Sequence, residues 1–525
     1  MTARIRNAIT DDNRRWWTLG AMCFALFMVM LDNTVVNVAL PSIQRGLHAS
    51  FSGLEWTVNA YTLAFAVLLV TGGRLGDIFG RRRTFLIGVV VFGAASAFIG
   101  FSQSEAWLIA GRTVQGFGAA FMMPATLSII ANAFPAHERG RAIGTWAGVS
   151  AMALAIGPVV GGFLVENVSW QSIFFLNVPV AVVAVVVTLA ATQESRDETS
   201  THHVDIPGVV TITAGLSAFV LALVEGNSWG WGSASIIGLF AVAVVSLVVF
   251  AIAETRVPEP MVDFTFFRSR SFLGANLVAF IVSFAMLATF FFLALYLQNV
   301  RGYSPLEAGV RFLPSTALII VMGPIAGRLT DRIGPRPLMT VGLLAVAGSL
   351  FWQGHLAPDT PYAFLAGAFV LLGVGMGLVM SPMSTAAMNA VDQAKAGVAS
   401  GILTMSRMVG GTFGVAVMGA LIAVLGRSRI DELLPQLPAG RRAALADSLG
   451  AGGGRIGGEA GRAVQDAFVH ALNSGLRIAS VVALVGAALT WWLIADRPER
   501  APAEPEAQAA AEVASAPEAE ALEVV

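Results

Sequence analysis

Two isolated charged side chains stand inside long apolar stretches of this sequence. Asp32 is the only Asp, Glu, Lys or Arg in residues 16–44, and Arg112 is the only one in residues 106–137. Burial in an apolar environment opposes the ionised form of a carboxyl group, whereas a neighbouring cation favours it. A carboxyl balanced between these effects can exchange protons. An arginine stays protonated and cannot carry protons itself, but it can tune a neighbouring carboxylate. Asp32 and Arg112 are therefore candidates for proton coupling or cation recognition.

The depths of the two residues predict that they form a pair. The first apolar helix should end near Leu40, which places Asp32 roughly 12 Å from its outer boundary at 1.5 Å per residue. The fourth should start near Ala106, which places Arg112 roughly 9 Å from the same boundary. We therefore expect one ion pair between two residues that would each be costly alone.

A third isolated cation, Arg407, is the only Asp, Glu, Lys or Arg in residues 396–426. It should lie near the middle of an apolar helix, where a buried cation indicates a functional role, although the sequence does not identify its partner. The chain has no His-rich metal cluster, nucleophile motif or phosphate-binding Gly–Lys loop. We expect no metal, no cofactor, no enzymatic activity and no direct use of ATP. The net charge of −1 gives no reason to expect a nucleic-acid partner.

The elements that must position these charges are membrane-spanning helices. Hydrophobic residues make up 56% of the 525 residues and charged residues only 12%, against roughly 25% charged residues in soluble domains. A spanning helix needs about 20 mostly apolar residues, and fourteen such runs are expected. They lie near residues 17–40, 54–73, 84–102, 106–131, 142–165, 171–192, 208–225, 233–253, 273–298, 307–327, 338–355, 361–385, 397–425 and 467–494.

The distribution of basic residues predicts the orientation of these spans. If the N-terminus is cytoplasmic, cytoplasmic tails and loops hold 20 of the 32 Lys and Arg residues, and short exterior loops hold only Arg45 and Arg301. The long exterior loop 427–466 holds six, but long loops escape the positive-inside rule. We expect both termini in the cytoplasm and the chain in the cytoplasmic (inner) membrane.

An internal repeat predicts how the spans are arranged. Residues 73–82 (GRLGDIFGRR) recur as residues 327–336 (GRLTDRIGPR), with Gly, Arg, Leu, Asp, Gly and Arg in register. The copies are eight spans apart, whereas two directly joined six-span halves would separate them by six. Two extra spans between the halves explain this offset. We expect a six-helix half over 1–192, a linker with two helices over 193–272, a second half over 273–495, and a disordered acidic tail over 496–525.

The first motif is LDNTVVNVALP from Leu31, in the first span, which contains Asn37. It is similar to the first-helix signature of the major facilitator superfamily, specifically of its fourteen-span drug:proton antiporters. The second is the loop beginning at Gly73, and the resemblance implies that this loop gates the outward-open state. The gating residues implied in the loop and its repeat are Gly73, Asp77, Gly80, Arg81, Asp331 and Arg332.

Two further motifs strengthen the resemblance. RTVQGFGA, from Arg112, resembles a motif proposed to help proton transfer and adds Gln115 to the site. The glycine-rich fifth span resembles the motif that marks antiporters rather than symporters, although Ala153 replaces a usual glycine. The residues concerned are Gly144, Gly157, Pro158, Gly161 and Gly162. The fold implied is an all-α membrane protein with the major-facilitator fold, two six-helix halves and two inserted helices.

The resemblance implies a proton-coupled antiporter that exports hydrophobic, often cationic, small molecules by alternating access, as in multidrug efflux and antibiotic resistance. Its expected partners are the substrate, protons and the lipid bilayer, and it is expected to act as a monomer. One alternative is a dedicated exporter of one antibiotic, siderophore or lipid. An importing symporter is disfavoured by the fifth-span motif, and a membrane protein without transport has no supporting motif.

Overall fold

The protein, seen in a computed structural model, is mainly helical over its described residues, which are 9–10, 13–196, 205–257, 260, 262, 264–391, 396–449 and 457–495. Fourteen long helices in these ranges are numbered here in chain order. They are α1 (Arg14–Leu47), α2 (Phe51–Phe79), α3 (Arg81–Gly100), α4 (Glu105–Ala133), α5 (Ala136–Asn167), α6 (Asn177–Ala191), α7 (Ile206–Trp229), α8 (Ala234–Glu254), α9 (Arg270–Leu295), α10 (Leu313–Ile333), α11 (Pro335–Gln353), α12 (Tyr362–Asn389), α13 (Ala396–Leu433) and α14 (Gly458–Leu493).

Short helical segments complete the described elements. Ser172–Phe175 leads into α6, Phe264–Arg268 precedes α9, Tyr296–Val300 is a π-helical turn after α9, and Pro305–Arg311 leads into α10. Ala439–Asp447 lies between α13 and α14, within the predicted loop 427–466. The four segments beside α6, α9 and α10 extend or bend a predicted span rather than adding one.

The sequence sets the ends of several helices directly. Ser50 and Ser104 precede α2 and α4, and each side chain accepts a hydrogen bond from a backbone N–H of the first turn. That bond satisfies a donor that the helix cannot pair itself. Gly80 and Gly334 end α2 and α10 with φ of 109° and 83°. Residues with a Cβ atom rarely adopt such positive φ angles. Both copies of the repeated loop therefore need glycine at the equivalent position.

Each predicted apolar run coincides, apart from one or two residues at its ends, with one long helix or with a long helix and a short segment next to it. Among the described residues, eleven helices are both long and apolar enough to cross a membrane. The helices α2, α5 and α11 are long but are not among these eleven. The all-helical membrane fold is confirmed, whereas the count of fourteen spans stays a prediction.

The helices associate as two groups with a pair beside them. The first group (α1–α6) and the second group (α9–α14) each pack mainly internally, and α7 packs against α8. The α7 helix also contacts α2 of the first group and α13 of the second. This arrangement resembles the predicted division into two halves and an inserted pair, although the division itself stays a prediction. The acidic tail 496–525 lies outside the described residues.

The contacts between the two groups concentrate at one end of the bundle. Gln298 donates to the carbonyl oxygen of Val38 at 2.8 Å, and the backbone N–H of Leu306 donates to Glu166 at 3.1 Å. Phe51 at the start of α2 also faces Phe292. This end carries the loop between α1 and α2, and we call it the predicted exterior end. The two groups therefore touch each other close to that end.

Candidate functional site

The predicted pair between Asp32 and Arg112 is present at the centre of the first group. Nη1 of Arg112 lies 2.5 Å from Oδ2 of Asp32, and the two residues are 1% exposed or less. Asp32 comes from α1 and Arg112 from α4, so the contact joins two helices of the same group. Burial strengthens the attraction between the charges, and removal of either charge would leave the other unpaired in an apolar environment.

Neutral polar side chains complete the surroundings of Asp32. Nε2 of Gln115 and Nδ2 of Asn177 each donate to its Oδ1 at 3.0 Å. The same two amides donate to Oγ of Ser96, at 2.7 and 3.2 Å. Oε1 of Gln115 also accepts from Arg112 at 2.6 Å. Helices α1, α3, α4 and α6 thus converge on one carboxylate, which accepts at least three hydrogen bonds.

Arg112 is held by α2 as well as by Asp32. Its Nε donates to the backbone carbonyl of Thr57 at 3.0 Å, and its guanidinium carbon lies 4.2 Å from the ring centroid of Tyr61. The aromatic face attracts a cation electrostatically, and this attraction grows where water is excluded. Arg112 is therefore fixed by an anion, a carbonyl and an aromatic ring, and a flexible ammonium group could not reproduce these contacts.

Two predicted site residues lie apart from this cluster. Asn37 bonds within its own helix, donating to the carbonyl oxygen of Asn33 at 3.0 Å, and its Oδ1 has no hydrogen-bond partner among the described residues. Arg407 lies on α13 of the second group, where its Nη2 contacts Sδ of Met380 at 3.7 Å. Within the described part of the chain, no carboxylate forms an ion pair with Arg407, and its buried Nε has no partner.

The repeated loop joins the first group's helices at the end opposite the predicted exterior end. Backbone N–H groups of Arg81 and Arg82 donate to the carbonyl oxygen of Ser195 at 2.8 Å and to Glu194 at 3.0 Å. Gly73 packs against Pro124 of α4, and a Cβ at Gly73 would lie 3.4 Å from the ring of Pro124. The side chains of Asp77 and Asp331 lie outside the described part of the structure, so a gating role for the loop stays a prediction, and Arg332 is exposed.

The glycines of α5 allow close contacts on two sides. A Cβ on Gly157 would overlap Oγ1 of Thr34, and one on Gly161 would lie 3.0 Å from Val35 Cα, both on α1. A Cβ on Gly162 would lie 2.6 Å from Cα of Leu306 in the second group.

Across the same contact, a Cβ on Gly309 would overlap the carbonyl oxygen of Pro158. The antiporter-like motif therefore forms part of the boundary between the groups. The surroundings of Gly144 lie outside the described residues.

The charged members of the site and Gln115 could be predicted from the sequence, whereas Ser96, Asn177, Thr57 and Tyr61 could not. Neutral polar residues occur throughout the apolar runs, and nothing in their spacing separates those that face Asp32. The assembled site can hold an ionised carboxylate and supply hydrogen bonds to it. Among the described residues, no group of three His, Cys, Asp or Glu side chains could hold a metal ion.

Comparisons with known proteins agree with this architecture. The family profile of the Major Facilitator Superfamily matches residues 22–415. The chain is 36% identical over 509 residues to the tetracenomycin C resistance and export protein of Streptomyces glaucescens, covering 94% of each chain. It is 37% identical to the puromycin resistance protein pur8 of Streptomyces alboniger, covering 93% of each.

A third relative is the multidrug resistance protein Stp of Mycobacterium tuberculosis, which is 37% identical over 77% of this chain and 75% of the relative. A solved structure of a bacterial homologue of the human lysosomal transporter Spinster, inward-facing and occupied, superposes with a TM-score of 0.63 at 19% identity. That superposition covers 94% of this chain and 99% of the other, and at this identity it shows the fold alone.

Proposed function

The chain belongs to the Major Facilitator Superfamily of membrane transporters, and we propose that it is a proton-coupled antiporter that exports hydrophobic, often cationic, small molecules. Alternating access between the two six-helix groups would carry the substrate outward as protons move inward. This chemistry needs a buried group that can bind a proton in one state and release it in another.

The completely buried Asp32, bound to Arg112, is the observation that carries the proposal. An incoming proton or a cationic substrate can compete with Arg112 for the same carboxylate, and that competition provides a physical basis for exchange. The amides of Gln115 and Asn177 can hydrogen-bond to Asp32 in both of its protonation states. Their N–H groups donate to the ionised carboxylate, and their oxygens can accept from the protonated carboxyl group. Arg112 keeps its charge throughout and acts as the competitor.

The contacts between the groups support alternating access. They lie at the predicted exterior end, so the arrangement is that of a transporter closed toward the exterior. Gly162 and Gly309 allow the backbones to meet without intervening side chains. Two backbone surfaces in direct contact can part and meet again as rigid bodies. Rocking of one group against the other requires such a movement.

Two kinds of substrate profile are compatible with this mechanism. The relative named for multidrug resistance favours broad export, and the soft thioether of Met380 beside Arg407 suits adaptable binding. The relatives named for tetracenomycin C and for puromycin favour the second candidate, a dedicated exporter of one antibiotic. Efflux assays over cationic dyes, antibiotics and lipids distinguish a broad from a narrow profile.

The test uses purified protein in liposomes with an imposed pH gradient. We expect wild-type protein to move a dye or an antibiotic against its gradient, and Asp32→Asn to abolish this movement while substrate binding persists. Asp431→Asn, which removes an exposed carboxylate paired with Arg442, is the matched control and should leave efflux unchanged. Full gradient-driven efflux by Asp32→Asn would exclude Asp32 from coupling.

A further inference from the structure

A second buried carboxylate, outside the Asp32 cluster, lies where α2, α7 and α13 meet. Glu55, in the second turn of α2, is only 2% exposed, and its Oε1 has no hydrogen-bond partner among the described residues. A Cβ built on Gly419 of α13 would overlap this oxygen, so the carboxyl group is pressed directly against the backbone of the second group. Glu55 is therefore closed in by the opposing group rather than by its own.

The inserted helix α7 brings a second acidic residue to the same junction. Oε1 of Glu225 accepts hydrogen bonds from Oγ of Ser52 at 2.7 Å and from Nε1 of Trp56 at 3.3 Å, on either side of Glu55 in sequence. These bonds place the Glu225 carboxyl group beside the turn of α2 that carries Glu55, and a neighbouring carboxylate disfavours the ionised form of another. The inserted pair thus adds negative charge where a buried carboxylate already lacks a partner.

Among the described residues, no cation forms an ion pair with Glu55. Arg112 is bound to Asp32 and to the backbone of Thr57, and the basic residues of α3 lie at the opposite end of that helix. Glu105 of α4 binds Ser50 at the start of α2, and Arg74 and Asp77 lie at the other end of α2. The charged residues of α13 all lie more than two helical turns from Gly419; they are Arg407, Arg427, Arg429, Asp431 and Glu432. A neutral, protonated Glu55 is the form that this environment accommodates.

The same surface carries further polar groups without partners. Asn59, one turn after Glu55 on the same face of α2, is fully buried, and neither atom of its amide has a partner in the described structure. On α13, Thr412 lies seven residues before Gly419 and so on the same face of the helix. Its hydroxyl is buried and has no hydrogen-bond partner among the described residues. Water that enters between α2 and α13 would satisfy all three groups, so this surface is suited to a contact that opens.

We propose that Glu55 is a second proton-binding site, and that it must be protonated for the predicted exterior end to close. In the closed state Glu55 is a neutral acid against Gly419. When α2 and α13 separate, water reaches the carboxyl group, which releases its proton to the exterior, and closure takes a proton back from the same side. This proton returns to the compartment it came from and adds nothing to the transport stoichiometry. The inference rests on the proposed alternating access and adds a second, gating proton to it.

The test follows the opening of the exterior end directly. Spin labels on Gln103→Cys of the first group and Ser428→Cys of the second, both exposed, report their separation in a Cys23→Ser background. We expect the protein with native Glu55 to shift from short to long distances as the pH rises. Glu55→Gln, an isosteric neutral substitute, should hold the short distance at every pH, and Asp431→Asn should behave like native protein.

A spectroscopic measurement separates protonation from packing. Infrared difference spectra between high and low pH should contain a protonated-carboxyl band that Glu55→Gln removes and Asp32→Asn retains. Absence of a Glu55-dependent band, or pH-driven opening that persists in Glu55→Gln, would overturn the gating site. If those results accompany normal gradient-driven efflux, only this inference fails. Absence of gradient-driven efflux from wild-type protein would instead overturn the proposed function.

Discussion

At the scale of single residues, the Asp32–Arg112 pair matters because each charge is tolerable only with the other present. Both side chains are buried, and their remaining polar atoms contact amides, a carbonyl and an aromatic ring. Such a pair contributes little net stability compared with apolar residues of the same volume, whereas breaking it is costly. The presence of such a pair inside an apolar bundle therefore indicates a functional role.

We predict that Arg112→Leu destabilises the protein by about 3–5 kcal/mol, because it leaves the Asp32 carboxylate buried without a cation. Adding Asp32→Asn should restore much of that loss, since no unpaired charge remains, but should not restore transport. Denaturant unfolding in detergent micelles measures the stability, and liposome assays measure the transport. Arg442→Leu, which breaks a more exposed pair with Asp431, should cost about 1 kcal/mol or less.

A double variant as unstable as the sum of its single substitutions would contradict this prediction. The two residues would then be independent, and their contact would have no part in the cost of either substitution.

The charged partners could be predicted from the sequence because depth along a helix follows directly from residue number. The direction in which a residue faces around the helix axis does not follow from its number. Asn177, which donates to Asp32, and Ser96, which accepts from Asn177, therefore could not be distinguished from other polar residues. Glu55 was missed for another reason. It stands beside the predicted start of a span at residue 54, where a charged residue needs no special explanation, and only the packing of α13 shows that it is buried.

At the scale of helices, glycine positions decide which backbones can meet. On α5, Gly157 and Gly161 face α1, whereas Gly162 faces Leu306 in the other group. Neighbouring positions on one helix thus serve packing within a group and contact between groups. Sequence could predict close packing from these glycines, but not which partner each would meet, because that depends on the rotation of α5 about its axis.

We predict that Gly162→Val impairs transport at normal expression, because its side chain would force α5 away from Leu306 and disfavour the exterior-closed state. Overpacking costs about 1–3 kcal/mol, which corresponds to roughly a 5- to 150-fold shift between two states. Efflux rates and the spin-label distances described above measure the effect. Gly238→Val on α8, where a Cβ meets nothing within 4 Å, is the matched control. Equal efflux by both variants would show that this contact does not take part in the transport cycle.

At the scale of the whole molecule, the pair α7 and α8 is in contact with both helix groups through α7. The α7 helix contacts both α2 and α13, and Phe219 stacks on Phe413 of α13 with 4.5 Å between ring centroids. A helix that touches both groups must move relative to at least one of them when the groups rock. Together with the contacts of Glu225 to α2, this places α7 at the contact between the two groups, near the predicted exterior end.

The whole-molecule prediction is the topology: fourteen spans with both termini in the cytoplasm. The loop between α7 and α8, at residues 230–233, tests it most sharply, because it distinguishes two spans inserted between the groups from a pair of helices that do not cross. The cytoplasmic placement of 20 basic residues against two in short exterior loops predicts the orientation. A fusion after Gly230 should activate a reporter that works only outside the cytoplasm. A fusion after Arg500 should activate a reporter that works only inside it. A control fusion in the loop at Gly302, which the same topology places outside, should match the fusion after Gly230.

A cytoplasmic signal after Gly230, with an exterior signal at Gly302, would show that α7 and α8 do not both cross. The eight-span separation of the two loop copies would then need a different explanation.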